Sequence, residues 1–125
     1  VLADGSFFEE GKKKFIEKKY KESKFFFQRS IVFNPKDSGS YLYLAKIYNF
    51  EDNKKKEEKN INTVLLLKPK NEEAMYMLIE IELERSNYSK VNELAENFSK
   101  ICNTLCDKKT LILKSLKNLE PKNES

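Results

Sequence analysis

Apolar side chains recur along this chain at intervals of three and four, the spacing that gathers one face of an α-helix toward a core. Two such runs, each about fifteen residues long, end at Asn34-Pro35-Lys36 and at Lys68-Pro69-Lys70. Proline cannot continue a helix without losing a hydrogen bond and clashing with the preceding turn, at a cost of about 3 kcal/mol. Pro35 and Pro69 therefore act as punctuation, and they stand 34 residues apart. Written on that period, the chain aligns Phe7 with Tyr41 and Met75, Glu10 with Leu44 and Leu78, and Gly11 with Ala45 and Ile79. Further along, Tyr20, Lys54 and Tyr88 share a column, as do Phe27, Ile61 and Ala95, and then Ile31, Leu65 and Ser99. Most columns are apolar in at least two of three rows. An internal period of this length is the signature of stacked helical repeats.

Local signals set the expected helices. Ser6-Phe7-Phe8-Glu9 reads as a capping box, in which the hydroxyl satisfies a free backbone N–H and the carboxylate reaches back. It predicts a first helix over Phe7–Lys19, followed by helices over Tyr20–Phe33 and Ser38–Phe50. The next three are expected over Lys55–Leu67, Glu72–Arg85 and Ser89–Asn103 or beyond, since no proline stops the last of them. Gly11 inside the first helix costs about 1 kcal/mol against alanine, which predicts a close helix–helix approach there. Asn71 can cap the fifth helix, with Glu72 and Glu73 facing the positive end of its dipole. After Asp107 a seventh helix is expected over Lys108–Leu119. Its Ile112, Leu113, Leu116 and Leu119 form an apolar stripe and Lys109, Lys114 and Lys117 a polar face. Such a helix suits the end of a repeat stack, whose last unit would otherwise expose its interface. Pro121–Ser125 is expected to fray.

Composition narrows the function. The 125 residues are 35% charged and 39% hydrophobic, a soluble core-forming balance. No apolar run reaches the ~18 residues that a membrane-spanning helix needs. The chain has no histidine and no tryptophan, so the commonest general base and metal ligand is missing. Three glycines cannot write a phosphate-cradling loop. Two cysteines, Cys102 and Cys106, match neither a C-x-x-C redox pair nor a four-ligand zinc site, and read as small core residues on one helix face. No catalytic residue, cofactor or metal is expected, which argues against an enzyme. The net charge of +4 comes from 22 lysines and only two arginines, Arg29 and Arg85. Lysine and glutamate interleave, as in Lys54-Lys55-Lys56-Glu57-Glu58-Lys59, which reads as a solvated helix face and argues against a nucleic-acid partner. The chain opens on Val1 rather than methionine, which points to a processed product or a fragment.

The columns themselves resemble the tetratricopeptide repeat (TPR) family, whose unit is a helix–turn–helix. The first unit, residues 4–37, carries Phe7, Gly11, Tyr20, Ser23, Phe27, Ser30 and Pro35 at the family's intervals. The second, 38–71, carries Tyr41, Leu44, Ala45, Tyr48, Ile61 and Pro69. The third, 72–105, keeps Met75, Leu78 and Tyr88 but has Asn103 in place of the proline. The resemblance implies an all-α fold, a right-handed superhelical stack of antiparallel helix hairpins, with three repeats and a capping helix over 107–119 in a single domain. Two departures carry expectations. Glu57 stands where a small residue packs and Lys54 where an aromatic does, so the fourth helix should start late or fray near Asn53–Lys56. Ile79 replaces another small residue, so the helices of the third hairpin should sit farther apart or cross differently.

In that family the first helix of each unit lines a concave groove that takes a peptide or helix of another protein. The matching positions here are Phe8, Lys12, Leu42, Tyr43, Lys46, Asn49, Tyr76, Met77 and Glu80. Phe15, Ile16 and Leu83 share those faces and read as packing residues within their hairpins. One TPR subclass grips a carboxylate terminus with Lys and Asn residues and an Arg; here the positions hold Phe8, Lys12, Tyr43, Glu73 and Met77, so that clamp is missing. The expected function is a scaffold or adaptor that binds, and stabilises, a partner protein. Phe25, Phe26 and Phe27 cannot all face one neighbour, because successive helical residues turn by about 100°. Phe27 fits the core, leaving Phe25 and Phe26 as a second contact and self-association through that edge as the alternative.

Overall fold

A computed structural model describes residues 4–119, and among these every regular element is an α-helix. The seven are α1 (Asp4–Ile16), α2 (Tyr20–Phe33), α3 (Ser38–Phe50), α4 (Lys54–Leu67), α5 (Glu72–Glu84), α6 (Tyr88–Ile101) and α7 (Lys108–Leu119). The chain divides into two compact units, Val1–Pro69 and Lys70–Ser125. In the first, α1 packs on α2, α2 on α3 and α3 on α4; in the second, α5 packs on α6, and α7 on both. The Pro121–Ser125 tail lies outside the described residues.

The 34-residue period is written in backbone geometry as well as in side chains. The turns inside the three hairpins each hold one non-glycine residue in the left-handed region: Lys18 (φ 61°), Asp52 (φ 57°) and Ser86 (φ 56°), spaced by the repeat. Around each, the same pair of bonds closes the helix: the N–H of residues 18, 52 and 86 donates to the carbonyl three residues back, at 3.0, 3.1 and 3.0 Å, and that of residues 19, 53 and 87 to the carbonyl five back, at 2.9, 2.9 and 3.1 Å. Such a bond pattern satisfies carbonyls that a helix end leaves open. Residues 53 and 87 are both asparagines that cap the following helix, accepting from the N–H of Lys56 and of Lys90.

Several sequence expectations change here. Helix α1 starts at Asp4, so Ser6 lies inside its first turn and is not its cap, and the helix ends at Ile16 where Lys18 turns left-handed. Helix α4 does not fray: it starts at Lys54, with the Asn53 side chain accepting from the Lys56 N–H at 3.2 Å. Glu57 is buried, and its carboxylate accepts from the Asn49 amide at 3.2 Å. A polar partner thus lets a long side chain occupy the column where Ser23 is buried in the first hairpin. Helices α5 and α6 approach each other less closely than the other two hairpin pairs, in line with the bulk of the buried Ile79 in the column that Gly11 and Ala45 occupy on α1 and α3.

The first unit has an aromatic core. Phe27, Leu44, Ile47 and Tyr48 are buried together, with Phe8, Phe15, Tyr20, Ile31 and Tyr43 packed around them. Gly11 is where α1 meets α2: a Cβ there would lie 2.8 Å from the Phe27 ring. Across that approach the Ser23 hydroxyl donates to the Gly11 carbonyl at 2.8 Å. The second unit buries Met75 and Leu78 on α5, Val91, Leu94 and Phe98 on α6, and Ile112 and Leu116 on α7. The expected stripe on α7 is narrower than its sequence suggests, since Leu113 is 63% exposed and Lys109 half-buried.

The cysteines are not core residues on one helix face. Cys102 and Cys106 form a disulfide across the α6–α7 connection, with their Cα atoms 5.2 Å apart. Helix α6 stops at Ile101, and Cys102 is its extended C-cap (φ −64°, ψ 146°).

Candidate functional site

On the first unit, α1 and α3 place four of the expected contact residues side by side. Phe8 is half-buried, with its ring edge-on to Phe27 (5.8 Å) and to Tyr43 (6.0 Å). Tyr43 stacks on Phe27 at 4.9 Å and meets Phe15 at 5.0 Å. Each outer ring carries a lysine: the Lys12 ammonium lies 5.0 Å from the Phe8 centroid and Lys46 5.0 Å from that of Tyr43. A cation over an aromatic face is favoured by the ring quadrupole. Lys12 also pairs with Glu9 at 3.3 Å. Leu42 is half-buried on the same helix as Tyr43, while the exposed Asn49 turns its amide to Glu57.

Beside these rings lies a depression of about 470 Å³ lined by Glu9, Lys12, Lys13, Ile16, Glu17 and Tyr43. Ile16 is 80% exposed, which overturns its reading as a packing residue; α1 ends at this residue, so no further turn of the helix covers it. Lys13 joins the site without having been singled out in the sequence, where it is one of three successive lysines and nothing separates it from its neighbours. Phe15, by contrast, packs among Tyr20, Tyr43 and Phe50.

On the second unit, Tyr76, Met77 and Glu80 share helix α5. Tyr76 is half-buried against Phe98 at 6.0 Å, and the Lys108 ammonium lies 5.7 Å from its ring centroid. Burial, then the nearby Glu80 and Asp107 charges, push the Tyr76 hydroxyl above its ordinary value. Burial also raises the Glu80 carboxyl, with Lys108 opposing. Helix α5 carries Glu72, Glu73, Glu80, Glu82 and Glu84 and no base, whereas α7 carries Lys108, Lys109, Lys114 and Lys117 and no acid. Tyr76 and Glu80 are thus already engaged by the neighbouring helix.

The aromatic edge of α2 is separate. Phe25 is 55% exposed and Phe26 half-buried, with their rings 5.4 Å apart. Phe26 reaches Phe7 at 6.4 Å, Phe7 stacks on Phe33 at 5.4 Å, and the Arg29 guanidinium covers both Phe7 and Phe33. Phe33 and Val32 are more than half exposed as well. The sequence hides Phe33 because it adjoins Asn34-Pro35, where the helix ends.

Among the described residues no group of three or more His, Cys, Asp or Glu side chains is arranged to hold a metal ion, and no helix is long and apolar enough to cross a membrane. Comparison with protein-family models and with curated proteins gives no match.

Proposed function

We propose that this chain is a non-catalytic interaction module of TPR-like hairpins, which binds a peptide or helix of another protein on the α1–α3 face of its first unit. The reading is carried by one observation: a depression with an almost bare Ile16 at its edge, a tyrosine ring in its wall and Lys12 and Lys13 beside them. An exposed aliphatic side chain between lysines suits a segment that presents apolar and acidic side chains together, since both kinds of contact can then form at once. The internal period of 34 and the small and aromatic columns support the TPR-like assignment.

Tyr43 is a poor place to test this, because it stacks on the core ring of Phe27 and its truncation would disturb the fold. Ile16 is the better probe. A photo-crosslinking side chain at Ile16 is expected to capture a discrete partner from the native cell, and one at the exposed Gln28 of α2 is not. In the same assay Ile16→Asp should lower partner recovery at least tenfold, on the order of the loss of a central anchor, with unchanged helicity. Equal capture from both positions would refute the assignment.

The alternative, a subunit that associates with copies of itself, draws on the Phe25, Val32 and Phe33 side chains left exposed on α2.

A further inference from the structure

Helices α2 and α4 end in the same way. Asn34 and Lys68 are their C-caps, with nearly identical backbone angles (φ −138°, ψ 88° and φ −137°, ψ 81°), and each is followed by a proline. In register with them, α6 ends at Cys102, followed by Asn103. The connecting residues Cys102-Asn103-Thr104-Leu105-Cys106-Asp107 contain neither proline nor glycine, and none of them has a positive φ. No backbone stop is present. Two other features hold the segment out of the helix. One is the covalent bond between Cys102 and Cys106. The other is the Glu72 carboxylate, which accepts from the N–H groups of Asn103, Thr104 and Leu105 and from the Thr104 hydroxyl. In a continued α6 those three N–H groups would donate to the carbonyls of Ser99, Lys100 and Ile101.

We propose that Cys102 and Cys106 form a reversible thiol–disulfide switch that sets where α6 ends, doing by a breakable bond what proline does in the two preceding repeats. Asn103 and Thr104 lie exposed between the half-buried cysteines, so the bond stands at the surface, within reach of a dithiol reductant. A thiolate of that reductant attacks one sulfur and expels the other cysteine as a thiolate, forming a mixed disulfide; the reductant's second thiol then attacks the reductant's own sulfur in that bond and expels the remaining cysteine. Two electrons pass from the reductant, which leaves as its own disulfide, and the two cysteines end as protonated thiols. Freed of the ring, residues 102–105 wind onto α6 as about one further turn of 3.6 residues. The three N–H groups leave Glu72, and the start of α5 is no longer tied to the α6–α7 connection. Oxidation reverses each step.

The test uses the full chain, oxidised and then reduced with dithiothreitol, followed by backbone NMR. On reduction the Cα shifts of residues 102–105 should move to helical values, and Cys102→Ser/Cys106→Ser should show those shifts without reductant. Asn103→Pro, which restores a proline in register with Pro35 and Pro69, should hold the break in both redox states, leaving the shifts of Thr104 and Leu105 unmoved. Shifts of residues 102–105 that stay put or turn to coil values on reduction of the unsubstituted chain would overturn the proposal. So would two free thiols in the chain alkylated after equilibration with an oxidised thiol buffer.

Discussion

Gly11 and Lys18, on and just after the first helix, ask opposite things of a side chain. At Gly11 space is the issue: an added Cβ would meet the Phe27 ring at 2.8 Å, and Phe27 is wholly buried and cannot step aside. Overpacking costs about 1–3 kcal/mol, more than the roughly 1 kcal/mol that alanine gains in helix propensity. Gly11→Ala is therefore expected to destabilise the chain by about 1 kcal/mol net in urea titration. At Lys18 conformation is the issue, since its φ of 61° places a Cβ against the following carbonyl. Lys18→Gly should raise stability by about 0.5–1 kcal/mol in the same titration, because glycine adopts that region without strain. Only the first of these positions can be read from the sequence. A glycine inside an apolar helical pattern announces a close approach, but the left-handed turns fall on Lys18, Asp52 and Ser86, of which only Asp52 is of a type that favours a positive φ.

At the scale of the element, helix ends decide what the sequence reveals. Pro35 and Pro69 mark two of them openly, and Asn71 marks the start of α5 by accepting from the Ala74 N–H at 2.9 Å. The start of α4 is harder to read, because Glu57 stands in a column for small residues and only Asn49, on the neighbouring helix, supplies the donor that lets its carboxylate be buried there. The end of α6 could not be read at all, because the groups that stop it include Glu72, some thirty residues earlier in the chain. That contact has a pH signature. The Thr104 hydroxyl, aided by the three loop N–H groups and opposed by desolvation, holds the Glu72 carboxyl below its ordinary 4.5. A carboxylate with a lowered folded value adds stability that is present in full above its unfolded value and drains as pH falls through the folded one. Protection of the Asn103–Leu105 amides should accordingly hold at neutral pH and be lost only on acidification below about 4.5, and Glu72→Gln should abolish that acid transition. Glu80 works in the other sense: its raised value gives a contribution that is lost as pH rises above its ordinary 4.5.

For the whole molecule, the question is which surface meets another protein. The α1–α3 face and the α2 edge both belong to the first unit, and solution mass separates them. If the partner binds at Ile16, sedimentation should give one monomer mass at every concentration. A mass that climbs with concentration, and returns to the monomer in Phe25→Ser/Phe33→Ser, would transfer the function to the aromatic edge of α2. Of the residues expected along a groove, Phe8, Lys12, Tyr43 and Lys46 come together, while Tyr76 and Glu80 meet Lys108 of the last helix. Helical spacing could find each of these faces, but not α7 already lying beside one of them.

The sorting of charge between α5 and α7 has a further consequence. All the ionic side chains on one are anionic and all those on the other cationic, so the last helix is held partly by an attraction that dissolved ions screen. The first unit is held more by buried apolar side chains, the rings around Phe27 together with Ile61 and Val64 on α4, whose burial ionic strength affects far less. Brine would thus loosen this molecule from its C-terminal end, and dilution would fasten it again.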